Sequence, residues 1–369
     1  MTLVNPTPPL DGRLACIVLA AGEGTRMRST LPKVLHLVCG RPMVLHVLDR
    51  LAEVRVGQAV VVVGAGAERV AHGLRAGAPA QLPIDIVDQV VRAGTGDAVK
   101  IGLGMVADDE YDLDVLVAHG DQPLVRASTL QLLIDRHRAS GAAASVLTVR
   151  LPDPSGYGRI VRNRDGRVER IVEERDASVE VKAIDETNTG FYCFKRSLLA
   201  PALRRIRPDN QAGELYLTDV IHVLSRAGHP VEAIEATDAG EMLGVNDRVQ
   251  LAAAESELRR RTNERWMTAG VTMLDPGAVT IDATVEIATD VTLLPGTVLR
   301  GATTVGEGCE IGPDTHLLDT AVGRGARVRC TTAEGARIGE GADVGPYAYV
   351  GKGAEIPPGA VTGPFYTPR

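Results

Sequence analysis

A continuous apolar run, Leu14–Ala21, passes directly into Gly22-Glu23-Gly24-Thr25-Arg26-Met27. Glycines placed just after a buried strand let backbone N–H groups turn inward, and such a concavity cradles phosphate oxygens. Arg26 adds a planar two-pronged donor, and Lys33, in Leu31-Pro32-Lys33-Val34-Leu35, adds a point charge. The string is not a Walker loop, because no Gly-Lys-Ser/Thr follows, and it lacks the third glycine of a dinucleotide fingerprint. A glycine-rich turn by itself suits a plain tight turn as well as a phosphate cradle. The chain carries a net charge of −7, which gives no electrostatic footprint for nucleic acid. A phosphate-rich substrate would therefore need local cations and a metal ion.

The elements that must position this loop have the pattern of an α/β sheet. Leu14–Ala21 is apolar throughout, and Gln58–Val63 and Leu113–Ala118 are short, largely apolar runs, as strands buried on both faces are. Met43–Val54, between the first two runs, and Thr129–Ser140, after the third, space their apolar residues as helices do. Interleaving of this kind predicts a Rossmann-like, mostly parallel sheet, which binds ligands beyond the carboxyl ends of its strands.

The second half follows another period. After a polar, helix-compatible stretch at 248–270, apolar residues recur every six positions: Ile281, Ile287, Leu293, Leu299, Val305, Ile311 and Leu317. The register slips by one at Val322, continues to Val328 and resumes as Ile338, Val344, Val350 and Ile356. Glycine often follows the apolar residue, as in Val305-Gly306 and Ile338-Gly339. This hexapeptide period predicts a short left-handed parallel β-helix of about four coils, each flat face burying one side chain per coil. The expected organisation is a catalytic domain over 12–247, a linker helix over 248–270 and the β-helix over 271–362. At 369 residues the chain is long enough for two domains.

Five cysteines, Cys16, Cys39, Cys193, Cys309 and Cys330, form no CxxC pair, and their odd number argues against a disulfide framework. No apolar run reaches the roughly 18–20 residues of a membrane span. Residues 1–11 include prolines and no basic stretch ahead of an apolar one, the composition of a loose arm and not of a signal peptide. The expected compartment is the cytoplasm, with reduced thiols and no membrane partner.

The string LAAGEGTRMRSTLPKVLH resembles the signature of sugar-nucleotide pyrophosphorylases, specifically the bacterial bifunctional N-acetylglucosamine-1-phosphate uridylyltransferase/glucosamine-1-phosphate acetyltransferase family. The resemblance continues in order through Gln89, Gly94-Thr95-Gly96, Gly120-Asp121, Gly156-Tyr157-Gly158-Arg159-Ile160, Ile171-Val172-Glu173-Glu174, Asn188-Thr189-Gly190, Gly213–Asp219 and Gly244-Val245-Asn246. It implies transfer of a nucleotidyl group from UTP to a sugar 1-phosphate, with N-acetylglucosamine 1-phosphate as the leading acceptor. Arg26 and Lys33 would be catalytic, holding the triphosphate. Leu19, Ala20, Ala21, Gly22, Gln89, Gly94 and Thr95 would contact the nucleotide. The Gln89 amide has a donor and an acceptor, which suits a uracil edge and could also serve thymine. His119, Gly120, Gly158, Glu173 and Asn188 would face the sugar. Asp121 and Asn246 would bind Mg²⁺, which takes oxygen ligands. Asp121 lies just beyond the run Leu113–Ala118, where an aspartate is otherwise a common turn former.

Three residues depart from the family pattern. Glu23 stands where a basic residue can occur, His119 where tyrosine or a small polar residue is frequent, and Asp97 where histidine is frequent. The resemblance also implies a homotrimer through the β-helix. The acetyl-transfer motifs of the family do not match here. Gly345-Pro346-Tyr347 lacks the arginine that follows in the corresponding family segment, so no acetyltransferase activity is expected. Two alternatives stay open: a nucleotidyltransferase for another sugar or cyclitol phosphate, and a non-catalytic sugar-nucleotide scaffold.

Overall fold

The computed structural model describes residues 10–64, 66–106 and 113–368. The expected N-terminal arm lies, up to residue 9, outside the described residues. Two compact units are present, one comprising residues up to 36 with 42–250, the other residues 37–41 with 251–369.

Among the described residues, the first unit is built on a nine-stranded sheet. Its main path runs Val231–Glu235, Ala144–Arg150, Glu186–Lys195, Asp114–His119, Asp11–Ala20, Val56–Val63, Ile84–Asp88. Asp11–Ala20 is central and pairs in parallel with both neighbours, Ile17 lying opposite Val60 on one side and Val117 on the other. Glu186–Lys195 is antiparallel to both of its neighbours on that path. Side chains of the central strand alternate between two cores. Leu14, Cys16, Val18 and Ala20 join one, and Ala15, Ile17 and Leu19 join the other. Helices Met43–Glu53 and Ala127–Ser140 supply the first core, while Thr95–Leu103 and Thr218–Arg226 supply the second. A strand covered on both faces has no polar side, which explains its unbroken apolar run.

The second unit contains most of helix Arg248–Thr268 and a three-faced parallel β-helix. Every apolar position of the hexapeptide pattern points inward and is buried. Each face carries five strands, so the solenoid has one coil more than its sequence period suggests. The missing inward residues are Met273, which precedes the regular pattern, and Ala333, which fills the gap between Val328 and Ile338. Alanine is too small to register as an apolar beat, and the five-residue spacings on either side of it break the period. The glycines after apolar residues mark a corner where successive coils touch. A Cβ on Gly306 would lie 2.7 Å from the Arg324 backbone nitrogen, and one on Gly323 would lie 2.6 Å from that of Glu340. Any side chain there would force the coils apart.

Residues 37–41 belong to this second unit although they lie far from it in sequence. The Glu255 carboxylate accepts from the Cys39 N–H at 2.6 Å, and the Cys39 carbonyl accepts from the Ala283 N–H at 2.9 Å. All five cysteines are free. Among the described residues, no helix is long and apolar enough to cross a membrane.

Candidate active site

Strand register assembles the site. Leu19 lies opposite His119, so Leu19–Gly22 and His119–Asp121 emerge side by side at one edge of the first unit's sheet. The antiparallel strand reaches the same edge with its amino-terminal half, because Tyr192 lies opposite Val117. Continuing that register brings Gly190 to His119, and a Cβ on Gly190 (φ +88°) would meet the imidazole at 2.7 Å. Asn188 sits just before it. Gln89 follows the neighbouring strand Ile84–Asp88, its N–H donated to the Val63 carbonyl at 2.8 Å.

Lys33, Asp121 and Asn246 converge there. The Lys33 ammonium pairs with the Asp121 carboxylate and donates to Asn246 Oδ1 at 2.8 Å. Both ionic side chains are largely buried, Lys33 at 10% and Asp121 at 21% exposure. Gly24 makes room for the lysine. It is left-handed (φ +61°), and a Cβ there would lie 2.6 Å from Lys33 Cβ. The Val245 N–H donates to the Asp121 carbonyl at 2.9 Å, and the Asn246 N–H donates to Gln250 Oε1 at 2.7 Å, which fixes the third member of the group. Arg26, by contrast, is exposed in the short turn Thr25–Met27, with no ion pair among the described residues.

Two adjoining cavities open at this edge. The one of about 680 Å³ is lined by all seven residues expected to contact nucleotide, together with Arg26, Lys33, Asp121 and Asn246. The other, of about 870 Å³, is lined by Gly158, Glu173 and Asn188, the residues expected to face sugar. His119, Arg26, Asp121, Thr95 and Asn246 line both. Gly120 lines neither. Its N–H donates to the Leu19 carbonyl at 2.9 Å, and a Cβ there would lie in ordinary contact with Val34 and Val44 at 3.4 Å, so its part in the site is that of a backbone strut.

The larger cavity is polar and internally braced. Thr218 donates to Glu173 Oε1 at 3.0 Å, Asn188 donates to the Tyr192 hydroxyl at 2.7 Å, and the Asn188 N–H donates to the Gly158 carbonyl at 2.8 Å. Burial raises the Glu173 carboxyl above its ordinary range. The Thr218 hydroxyl opposes that shift, and the charges of Asp219 and Asp176 reinforce it. Burial lowers the His119 imidazole, which the Asp121 carboxylate opposes and Lys33 reinforces, so this histidine is neutral near pH 7. Next to Glu173 in sequence, Glu174 pairs with the buried guanidinium of Arg159 at 2.8 Å.

Several functional neighbours carry no signal that sequence reasoning could single out. Glu23 does not leave a bare negative charge in the glycine loop, because Arg92, in the loop after Gln89, pairs with it. Arg175 and Glu214 line both cavities. Gln122 ties two site segments together, donating to the Thr189 carbonyl at 2.7 Å and the Met242 carbonyl at 3.3 Å. Such contacts join residues tens of positions apart, and only their motif partners hint at them.

The family model for nucleotidyl transferases matches residues 15–270, which covers the whole of this site. The chain belongs to that family. It is a nucleotidyltransferase of the GlmU type, and its relatives bear the name "Bifunctional protein GlmU". The protein of that name from Shouchella clausii is 42% identical over 341 residues, which cover 92% of this chain and 73% of the relative. Its counterpart from Streptomyces coelicolor is 47% identical over 337 residues, covering 91% and 69%. The one from Corynebacterium glutamicum strain R is 44% identical over 360 residues, covering 96% and 72%.

Proposed function

We propose that the protein transfers a uridylyl group from UTP to N-acetylglucosamine 1-phosphate, giving UDP-N-acetylglucosamine and pyrophosphate. The observation that carries this reading is the meeting of two cavities at Asp121 and Asn246, the residues that hold the Lys33 ammonium. The smaller holds the glycine loop and the Gln89 amide, while the larger holds Glu173 and Asn188. A nucleotide and a sugar phosphate seated in them would present an attacking phosphate oxygen and an α-phosphorus to each other at their common border.

Both substrates are anions, and a sugar phosphate is already ionised near neutral pH, so positioning and charge neutralisation matter more than proton transfer. In this scheme the sugar phosphate oxygen attacks the α-phosphorus in line, and the bond to the leaving pyrophosphate breaks. Arg26, exposed and lining both cavities, grips phosphate oxygens with its planar fork. Lys33 supplies a buried point charge, and the backbone N–H groups of the glycine loop hold the triphosphate. Glu173 and Asn188 orient the sugar hydroxyls.

The donor set fits Mg²⁺. Asp121 and Asn246 both turn oxygen atoms toward one cationic point, the Lys33 ammonium, and hard oxygens are what Mg²⁺ takes while keeping several waters. When bound by Asp121 and Asn246, the ion would neutralise phosphate charge at the reacting centre.

A matrix of nucleoside triphosphates against sugar 1-phosphates, read by pyrophosphate release with Mg²⁺ present, tests the proposal. UTP with N-acetylglucosamine 1-phosphate is expected to be the fastest pair. A faster reaction with another sugar or cyclitol phosphate would replace the acceptor, and no release with any pair would refute transfer altogether.

Arg26→Ala is expected to lower kcat/KM about 100-fold, in line with loss of one charge-stabilising donor. Arg26→Lys should rescue only part of that, since lysine keeps the charge but loses the fork. The exposure of Arg26 predicts unchanged melting temperatures for both variants. Full activity of Arg26→Lys would dismiss the two-pronged grip.

The coils described here are proposed to have no acetyltransferase site of their own. An acetyl transfer must hold acetyl-coenzyme A beside an amine and provide a group to take its proton. His316, the sole histidine of the coils, is an exposed outward residue on one face. Incubation with acetyl-coenzyme A and glucosamine 1-phosphate should release no free thiol. Release as fast as that of pyrophosphate would overturn this part of the reading. Association as a homotrimer through the β-helix belongs to the same proposal and is checked by light scattering.

A further inference from the structure

We propose that Asp97 is a positioning residue that sets which base the enzyme accepts, by locking the Gln89 amide with its oxygen toward the nucleotide cavity. The proposal rests on the uridylyl-transfer reading above. Gln89 is 4% exposed and lines the smaller cavity. Its Nε2 donates to the Gly94 carbonyl at 3.1 Å and to Asp97 Oδ2 at 2.8 Å. An amide nitrogen has two protons, and these two bonds use both. Each partner can only accept. Turning the amide over would set its oxygen against a carbonyl and a carboxylate together, so the flipped state is excluded electrostatically.

Neither partner can easily yield. Gly94 has φ +112°, and a Cβ there would lie 2.5 Å from the Leu215 carbonyl oxygen, so its peptide is packed in place. The flanking backbone is tied down as well, Leu215 N–H donating to the Ala93 carbonyl and Gly96 N–H to the Leu215 carbonyl, both at 2.7 Å. Asp97 is in the first turn of helix Thr95–Leu103, partly buried and directed at Gln89. Gln89 Oε1 takes no partner among the described residues, which leaves it as the acceptor offered to a base.

A lone acceptor reads one difference between the pyrimidines. Uracil and thymine present an N3–H at the middle of their pairing edge, which Oε1 accepts. Cytosine presents a bare ring nitrogen at the same place, so lone pair faces lone pair. Rejection by repulsion of this kind gives specificity that added attraction alone does not. Asp97 therefore acts on base choice from the nucleotide side, through Gln89 and without touching the reacting phosphates.

The test compares kcat and KM for UTP and for CTP, with one sugar phosphate, in the wild type and in Asp97→Ala, Asp97→Asn and Asp97→Lys. In Asp97→Ala the UTP-over-CTP ratio of kcat/KM should fall about tenfold, the loss typical of one hydrogen-bond preference. The fall should come through KM for UTP, with kcat held within a few-fold. Asp97→Asn, which retains an accepting oxygen, should restore the ratio. Asp97→Lys, which offers only donors and draws Oε1 away from the base, should lower the ratio at least as far as alanine does. It carries the test should the alanine variant not fold. An unchanged ratio in an active alanine or lysine variant, or an equal loss with both nucleotides through kcat, overturns the proposal. A wild type that does not turn over UTP overturns the uridylyl reading itself, which separates the two failures.

Discussion

Asp121→Asn is expected to lower kcat for pyrophosphate release by about 100- to 1000-fold, the range seen when one charge-stabilising group is removed from a reacting centre. The substitution keeps the shape of the side chain and its place after the strand Asp114–His119. It removes the negative charge that pairs with Lys33, and with it the stronger of the two oxygen donors proposed for Mg²⁺. Stability should change far less. The pair lines an open cavity, so water can solvate the lysine once its partner is neutral, and Asn246 Oδ1 still accepts from it at 2.8 Å. A cost of about 1 kcal/mol would move the melting temperature of a unit this size by roughly 2–4 °C. Titrating Mg²⁺ against the variant separates weakened metal binding from lost chemistry, because the former shifts the Mg²⁺ midpoint upward. Turnover at the wild-type rate with Mg²⁺ present would remove Asp121 from the metal assignment.

Lys33→Ala is expected to cause a loss of similar size, about 100- to 1000-fold in kcat/KM. Among the described residues the Lys33 ammonium is the cation in contact with both Asp121 and Asn246, and its burial strengthens its field at a nearby phosphate relative to that of the exposed Arg26. Deleting it leaves the Asp121 carboxylate without its partner, so the site becomes more negative just where two anions must approach. Lys33→Arg should not restore activity. The stem of Lys33 passes under Gly24 at a distance that admits no Cβ, and a guanidinium is too broad for the place one Nζ holds between two oxygens. Gly24→Ala should produce a milder version of the same defect by displacing that stem. Steady-state kinetics on these variants, alongside thermal melts, checks the ordering. Activity in Lys33→Ala within tenfold of wild type would show that the charge is not needed at the reacting centre.

The sequence by itself determined the fold class, because its two periodicities are the imprint of two kinds of burial. Strands must be apolar where both faces are covered, and Leu14–Ala21 is, as is Gln58–Val63 after its first residue. A coil that buries one side chain per face must repeat at six, and Ile281 to Leu317 do. The loop Gly22–Met27 and the separate site strings were legible too, since the proposed recognition of phosphate and hydroxyl groups restricts residue types locally. What only the tertiary structure decided is which of these strings meet, and in what state. The parallel register of Leu19 with His119 and the antiparallel return of Asn188 depend on strand order, and no local pattern encodes that. Gly120, equally prominent in its motif, turns out to be a backbone strut outside both cavities. Glu23 looks adverse in isolation and is neutralised by Arg92, 69 positions away. The fifth coil was hidden because Ala333 fills an inward place with too little side chain to mark it. In each case the deciding quantity is a distance between residues remote in sequence, set by the packing of whole elements and not by the identity of neighbours along the chain.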